Sequence, residues 1–326
     1  MVMNRIPFVF LLLSTSLFVQ GQDIRVHDPV MIREGEKYYV FCTGMGIAVF
    51  SSTDMKNWAS EKPVFDSPPA WAVETISGFK GHIWAPDISF HNGIYYLYYS
   101  VSAFGKNTSC IGLATNKTLD PKSKDFKWTD HGKVIQSIPG RDLWNAIDPN
   151  LAFDEANQPW LVFGSFWSGM KLVKMNADLK RISEPQEWHT VSKRPRDFKD
   201  DDRNSGEGAV EAPFIFKKAN YYYLFVSFDF CCRGTQSTYK VVVGRSDKIQ
   251  GPYLDKEGVR MDQGGGSIVL QGNPSWPGVG HNSAYTFDGK DYIVFHAYDM
   301  ADGGKPKLKI EQMQWDSNGW PVITWK

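Results

Sequence analysis

Four short segments carry side chains that could do acid–base chemistry, and each sits where a polar turn gives way to an apolar run. They are His27-Asp28-Pro29, Ile147-Asp148-Pro149, Val210-Glu211-Ala212-Pro213 and Gly280-His281-Asn282. Glu211 is the most informative. It stands in an otherwise uncharged run, Ala209-Val210-Glu211-Ala212-Pro213-Phe214, directly before a strand-like stretch from Ile215 to Phe228. A carboxyl among apolar neighbours is partly desolvated, which disfavours its charged form and raises its pKa. An acid that keeps its proton near neutral pH can give it to a leaving group. That chemistry needs partners. Asp28 and Asp148 share an Asp-Pro setting, and proline restricts the residue before it to extended backbone. An ionised Asp148 close to Glu211 would hold the proton on Glu211 by like-charge repulsion. One Asp-Pro or Glu-Ala-Pro alone is an ordinary turn or strand start. The weight therefore rests on whether the fold brings these acids together.

The elements that must position them are strands. The chain runs through short β-rich stretches separated by Gly, Pro, Asn and Asp, with no amphipathic helical pattern of useful length. Five units pair an apolar strand with an aromatic-rich one across a turn. The aromatic strands are marked by Tyr39, Tyr96, Trp160, Tyr222 and Tyr292, positions that differ by 57, 64, 62 and 70 residues. Five loosely periodic units of this size predict an all-β, five-bladed β-propeller of about four strands per blade. In a propeller the innermost strands run beside the central channel, and their first residues converge at one mouth. Asp28, Asp148, Glu211 and His281 are thus predicted at equivalent positions in four blades, facing one cavity. Later strands such as Cys110 to Thr115 and Lys240 to Ser246 alternate apolar with small or polar residues. That pattern predicts outer strands with one covered face. No linker or low-complexity break divides residues 22–326, which read as one domain.

The bulk properties narrow the partners. Lys plus Arg and Asp plus Glu are equal at 36 each. Without a basic excess, a nucleic-acid backbone or an anionic membrane surface is not an expected partner. A surplus of Trp and Tyr beyond core needs suits stacking on flat, weakly polar ligands such as sugars. Residues 1–21 begin with Asn4-Arg5, continue through the apolar stretch Ile6 to Val19 and end on Val19-Gln20-Gly21. This is the pattern of a secretory signal peptide cleaved near Gly21, giving a secreted or periplasmic protein. The apolar stretch is short for a bilayer span, and no later segment is long enough. Four cysteines are too few for a disulfide framework. Cys42 and Cys110 read as buried thiols, whereas Cys231-Cys232 is an adjacent pair open to either redox state. Asn107-Thr108-Ser109 and Asn116-Lys117-Thr118 match the glycosylation sequon.

With these residues in view, the chain resembles glycoside hydrolase family 43. The motifs are Val26-His27-Asp28-Pro29, Trp84-Ala85-Pro86-Asp87, Asn145-Ala146-Ile147-Asp148-Pro149 and Val210-Glu211-Ala212-Pro213. The runs from Phe228 to Gly234, Ser237 to Lys240 and Gly280 to Ser283 resemble the endo-α-1,5-L-arabinanases of that family most closely. The resemblance implies a five-bladed propeller that hydrolyses arabinan. Asp28 would be the general base, Glu211 the general acid, and Asp148 a modulator of the acid's pKa and orientation. His281 would contact a metal on the propeller axis, calcium in the usual case, or its water shell. Calcium prefers oxygen ligands, so one histidine implies a largely hydrated ion. Inverting glycosidases need one protonated carboxyl and one ionised carboxylate, ~6.5–9.5 Å apart, with water between.

Trp84 and Phe104 could stack on furanose rings, and His27, Asn145 and Ser165 could contact sugar hydroxyls. Trp167 is equally suited to packing, Asp87 to fixing a turn, and Arg233 to supporting the acid or pairing with Asp229. The implied partners are arabinan and its oligosaccharides, bound by a monomer. Two alternatives stay open: an exo-acting arabinofuranosidase or xylosidase of the same family, and a propeller that binds carbohydrate without cleaving it.

Overall fold

Five antiparallel sheets follow one another along the chain in this computed structural model, which describes residues 23–196, 205 and 207–325. Each sheet is one blade of a five-bladed β-propeller. Blade one is Val30–Glu34, Lys37–Cys42, Ala48–Ser52 and Ala59–Ser60. Blade two is His82–His91, Ile94–Ser102, Ser109–Asn116 and Thr129–Ser137, with the short strand Gly44–Met45 added beside its first strand. Blade three is Asn150–Phe153, Pro159–Phe163, Met170–Lys174 and Trp188–Ser192. Blade four is Val210–Lys218, Tyr221–Phe228, Lys240–Ser246 and Ser267–Gln271. Blade five is Val279–Phe287, Lys290–Asp299, Lys305–Trp315 and Pro321–Ile323. The expected pairing of an apolar strand with an aromatic one is present in all five. At Asn92-Gly93 and Asp288-Gly289 both turn residues have positive φ, the conformation that two-residue hairpin turns demand and that Asn, Asp and Gly tolerate.

The aromatic strands are where the core is made. Leu97 and Tyr99 enter the apolar cluster between blades one and two, while Tyr98 enters the cluster between blades two and three. Leu224 and Val226 face blade three, while Phe225 faces blade five. Successive side chains of a strand point to opposite faces, so a blade with a neighbour on each side must be apolar at every position. The third strands obey the same rule. Cys110 through Ala114 and Val241 through Gly244 are buried without interruption. The expectation of one covered face is therefore corrected: small residues there mark close packing rather than a wet side.

The fifth cluster joins blades five and one and closes the ring. Ile24 and Val26 lie in it beside Val40, Val294 and Leu308. Their backbone pairs with blade five, Val26 N–H donating to Pro306 O at 3.2 Å and Leu308 N–H to Ile24 O at 3.1 Å. Chain entry and chain exit thus share one blade. Both sequon asparagines are buried and bonded inward. Asn107 donates to the Asp142 and Trp144 carbonyls, and Asn116 accepts from the Lys117 and Lys127 amides. Cys42 and Cys110 are buried thiols, and Cys231 is bonded to Cys232. Among the described residues no helix is long and apolar enough to cross a membrane. The expected leader, residues 1–21, lies outside the described residues.

Candidate active site

The first residues of the inner strands meet at one mouth of the ring. Asp28, Asp148, Glu211 and His281 all line a cavity of about 890 Å³ there. The register that brings them together differs by one residue from the expected one. Asp28, Ala85, Asp148, Ala212 and His281 share a left-handed backbone, with φ of 53°, 40°, 58°, 56° and 49°. In blades two, four and five the strand pairing slips across this point, between Trp84 and Asp87, Glu211 and Phe214, and Gly280 and Ser283. Such a bulge re-aims side chains. The structural equivalent of Asp28, Asp148 and His281 in blade four is therefore Ala212, not Glu211. Asp28 and Asp148 are not extended as their prolines led one to expect.

A ring of hydrogen bonds holds these five strained residues. The Ala85 N–H donates to Thr43 Oγ1 at 2.9 Å, Asp148 N–H to Ser100 Oγ at 3.0 Å, and His281 N–H to Ser227 Oγ at 2.9 Å. The Asp28 N–H donates to His296 Nδ1 at 3.2 Å. Each acceptor comes from the second strand of the preceding blade, or lies just past it. In blade three that position is Gly164, which has no side chain to offer. The Ala212 N–H turns instead to Asp148 Oδ2 at 3.1 Å. One missing hydroxyl thus ties the Asp148 carboxylate to the strand that carries Glu211.

Around these carboxyls the surroundings diverge. Asp28 is buried, and burial pushes its pKa up. The charges and hydrogen bonds of His27 and His281 more than reverse this, leaving it well below the usual carboxylate range. His27 Nδ1 lies 2.8 Å from Oδ2, His281 Nδ1 lies 2.9 Å from Oδ1, and Thr43 Oγ1 donates to Oδ2 at 2.5 Å. Burial lowers His281, but the charges of Asp28 and Asp148 outweigh it and raise the imidazole to about 9. Asp148 moves the other way. Burial pushes it up to about 8; His281 and the Ala212 N–H oppose this, and the charges of Glu211 and Asp28 add to it. Burial thus works against the ionised Asp148 that the sequence led one to expect. Glu211 accepts instead from two hydroxyls, Ser165 Oγ at 2.7 Å and Tyr239 OH at 2.9 Å.

Residues 22–321 match the family model for glycosyl hydrolases family 43. The chain belongs to that family. It is 55% identical over 312 residues to the extracellular exo-α-(1→5)-L-arabinofuranosidase of Cellvibrio japonicus, covering 96% of this chain and 90% of that one. It is 44% identical to the extracellular endo-α-(1→5)-L-arabinanase 1 of Bacillus subtilis, covering 91% and 87%. The solved structure of a Cellvibrio cellulosa α-L-arabinanase complexed with arabinohexaose superposes with a TM-score of 0.92 at 55% identity, covering 93% of this chain and 96% of that one.

In this family 43 protein the remaining expected contacts fall as follows. Trp84 and Phe104 line the cavity, and Phe104 is 81% exposed. Asn145 lines it too, but its Oδ1 accepts from Ser109 Oγ at 2.6 Å. Ser165 lines the cavity and donates its hydroxyl to Glu211. His27 is bound to Asp28 and, through Nε2, to the Tyr298 hydroxyl at 2.8 Å. Trp167 is buried in the cavity wall. Asp87 fixes no turn; it accepts from Asn150 Nδ2 and the Leu151 N–H and so links blade two to blade three. Arg233 stacks over Phe230 at 3.9 Å, and Asp229 pairs with Arg194 and Lys240 instead. Sequence reasoning missed Thr43, Tyr239, His296 and Tyr298. A signal existed for two of them: Thr43 and His296 fall four residues after Tyr39 and Tyr292, as Ser100 does after Tyr96.

The expected calcium can be tested against its donors. Calcium takes six to eight oxygens. Among the described residues His281 belongs to no group of three His, Cys, Asp or Glu with ligand atoms within 4.8 Å. Its Nδ1 is also committed to Asp28. These residues build no oxygen cage. They fit only an ion touched by one imidazole nitrogen and otherwise held by water.

Proposed function

We propose that the protein hydrolyses α-1,5-L-arabinofuranosidic bonds inside arabinan chains, with inversion at the anomeric carbon. The observation that carries this reading is two unlike carboxyl environments in one cleft. Asp28 is held ionised between two imidazoles, while burial pushes Asp148 up to about 8. Asp28 takes a proton from water as the water attacks the anomeric carbon. Glu211 gives one to the departing oxygen on the opposite face. Asp148, fixed by the Ala212 N–H on the strand that carries Glu211, modulates that acid and its orientation. When bound, a hydrated calcium contacting His281 would add positive charge beside Asp28 and Asp148.

The cleft supports an oligosaccharide rather than a single sugar. At about 890 Å³ it lies near the top of the ~300–1,000 Å³ range of small-molecule sites. Relatives described as extracellular support export of the mature chain after loss of residues 1–21. Exo action is the second reading, favoured by the 55% identical Cellvibrio relative. Product analysis on linear arabinan separates the two: early oligosaccharides of mixed length support internal cleavage, and one small product from the first time point overturns it. Proton NMR of the first-formed anomer tests inversion, since a retained configuration removes Asp28 as a base acting on water. A carbohydrate-binding propeller without turnover would show binding and no product at all.

A further inference from the structure

We propose that reduction of the Cys231–Cys232 disulfide converts the cleft wall into a binding site for a thiophilic divalent cation such as Zn²⁺, and that the bound ion arrests the enzyme. The site consists of both cysteine sulfurs and His27 Nε2, whose ligand atoms all lie within 4.8 Å of one another. Cys232 Sγ is already 3.8 Å from His27 Nε2. In a tetrahedral zinc site, bonds of ~2.3 Å to sulfur and ~2.0–2.1 Å to nitrogen put neighbouring ligands roughly 3.6 Å apart. The sulfur–nitrogen edge is therefore nearly formed. The two sulfurs need only part from bonding distance to about 3.8 Å once the bond is cut.

The supporting contact of a metal-binding histidine is also in place. Ligating imidazoles almost always give their other nitrogen to a carboxylate or carbonyl, which fixes the ring and raises its basicity. His27 Nδ1 is 2.8 Å from Asp28 Oδ2. Its Nε2 lies 2.8 Å from the Tyr298 hydroxyl, which also accepts from the Cys232 N–H at 2.7 Å. The cation would displace Tyr298 from Nε2 and leave that hydroxyl its backbone partner. His27, Cys231 and Cys232 all line the cleft, so the fourth coordination position opens on the substrate space. That gives three protein ligands and an exchangeable water, the open form of a zinc site.

The steps balance with one co-reactant, a dithiol reductant. Its two thiols become a disulfide, and their two electrons and two protons pass to Cys231 and Cys232. The cation then binds both sulfurs and the neutral Nε2 and releases the two thiol protons. Arrest follows because the ion fills the wall beside Asp28 and makes that carboxylate the orienting partner of a metal ligand.

The test uses the mature protein with Co²⁺ as a spectroscopic probe and Zn²⁺ as inhibitor. After dithiol treatment and desalting under argon, one equivalent of Co²⁺ should produce thiolate-to-metal charge-transfer absorption; the oxidised protein should give none. That readout is independent of which polysaccharide is cleaved. Stoichiometric Zn²⁺ should lower arabinan hydrolysis by the reduced protein at least tenfold, with recovery on adding a chelator, and leave the oxidised protein unchanged. The double variant Cys231→Ser/Cys232→Ser retains Cys42 and Cys110. It should show neither the band nor any zinc sensitivity, whatever its basal rate. A reduced protein without the band, or a double variant that keeps it, overturns the site. Activity lost on reduction alone and not restored by a chelator overturns the arrest.

Discussion

Asp28 and Asp148 open the inner strands of blades one and three with the same residue type, the same following proline and the same left-handed backbone. Their protons behave oppositely. Asp28 lies between two imidazoles and is driven well below the usual range, whereas Asp148 has one imidazole nearby, two other carboxyls, and rises to about 8. Both are buried. Burial is therefore not the discriminator; the neighbours that each blade junction supplies are. The junction of blades five and one delivers His27, His281 and His296 to Asp28. The junction of blades three and four delivers a backbone N–H to Asp148, and Ser165 and Tyr239 to Glu211. One fold position, used twice, holds a carboxyl far below its usual range on one side of the ring and far above it on the other.

Removing either end of this contrast should have the largest effect. Asp28→Asn and Glu211→Gln should each lower kcat on arabinan by roughly 10²–10⁴-fold, the span of general acid–base catalysis. Glu211→Gln should keep its affinity for arabino-oligosaccharides by calorimetry. Near-native turnover in either variant breaks the comparison at its root.

Asp148→Asn tests the raised carboxyl. In the parent protein Asp148 loses its proton as pH rises through about 8, so kcat/KM should fall above that pH. The asparagine amide does not titrate. The inflection near pH 8 should therefore vanish, with the acid limb in place. An unchanged basic limb would mean that Asp148 does not set it.

Smaller effects should come from the groups that aim the acid. Ser165→Ala and Tyr239→Phe each delete one hydrogen bond to Glu211 and should lower kcat about tenfold, or about 1.4 kcal/mol, with KM little changed. The smallest change should be structural. Thr43→Val removes the Oγ1 that donates to Asp28 and accepts from Ala85 N–H. It should cost about 1–2 kcal/mol in urea unfolding. A variant that loses activity but no stability would place Thr43 with the base rather than with the ring.

Much of the fold was legible because a propeller repeats its constraints. Five turn-plus-aromatic units at similar spacing leave few other ways to bury Tyr39, Tyr96, Trp160, Tyr222 and Tyr292. The acids were legible for the same reason, since each marks the start of an inner strand. The one-residue offset of Glu211 was not, because a bulge changes the register without changing residue types. Arg233 and Asp229 look like an ion pair in one dimension, yet Phe230 and Lys240 reach them first.

The sequence by itself determined five blades, the segments that meet at their mouth, and the carboxyls available for catalysis. Local pattern suffices there, because periodicity and turn chemistry act over a few residues. Only the tertiary structure decided which carboxyl burial pushes up and which its neighbours hold down. That depends on distances between residues 28, 148, 211 and 281, which four different blades bring together, and electrostatic energy falls with distance and solvent exposure rather than with sequence separation. It also decided that a glycine at position 164 makes Asp148 the acceptor for blade four, and that His27 stands beside two cysteines more than two hundred residues away.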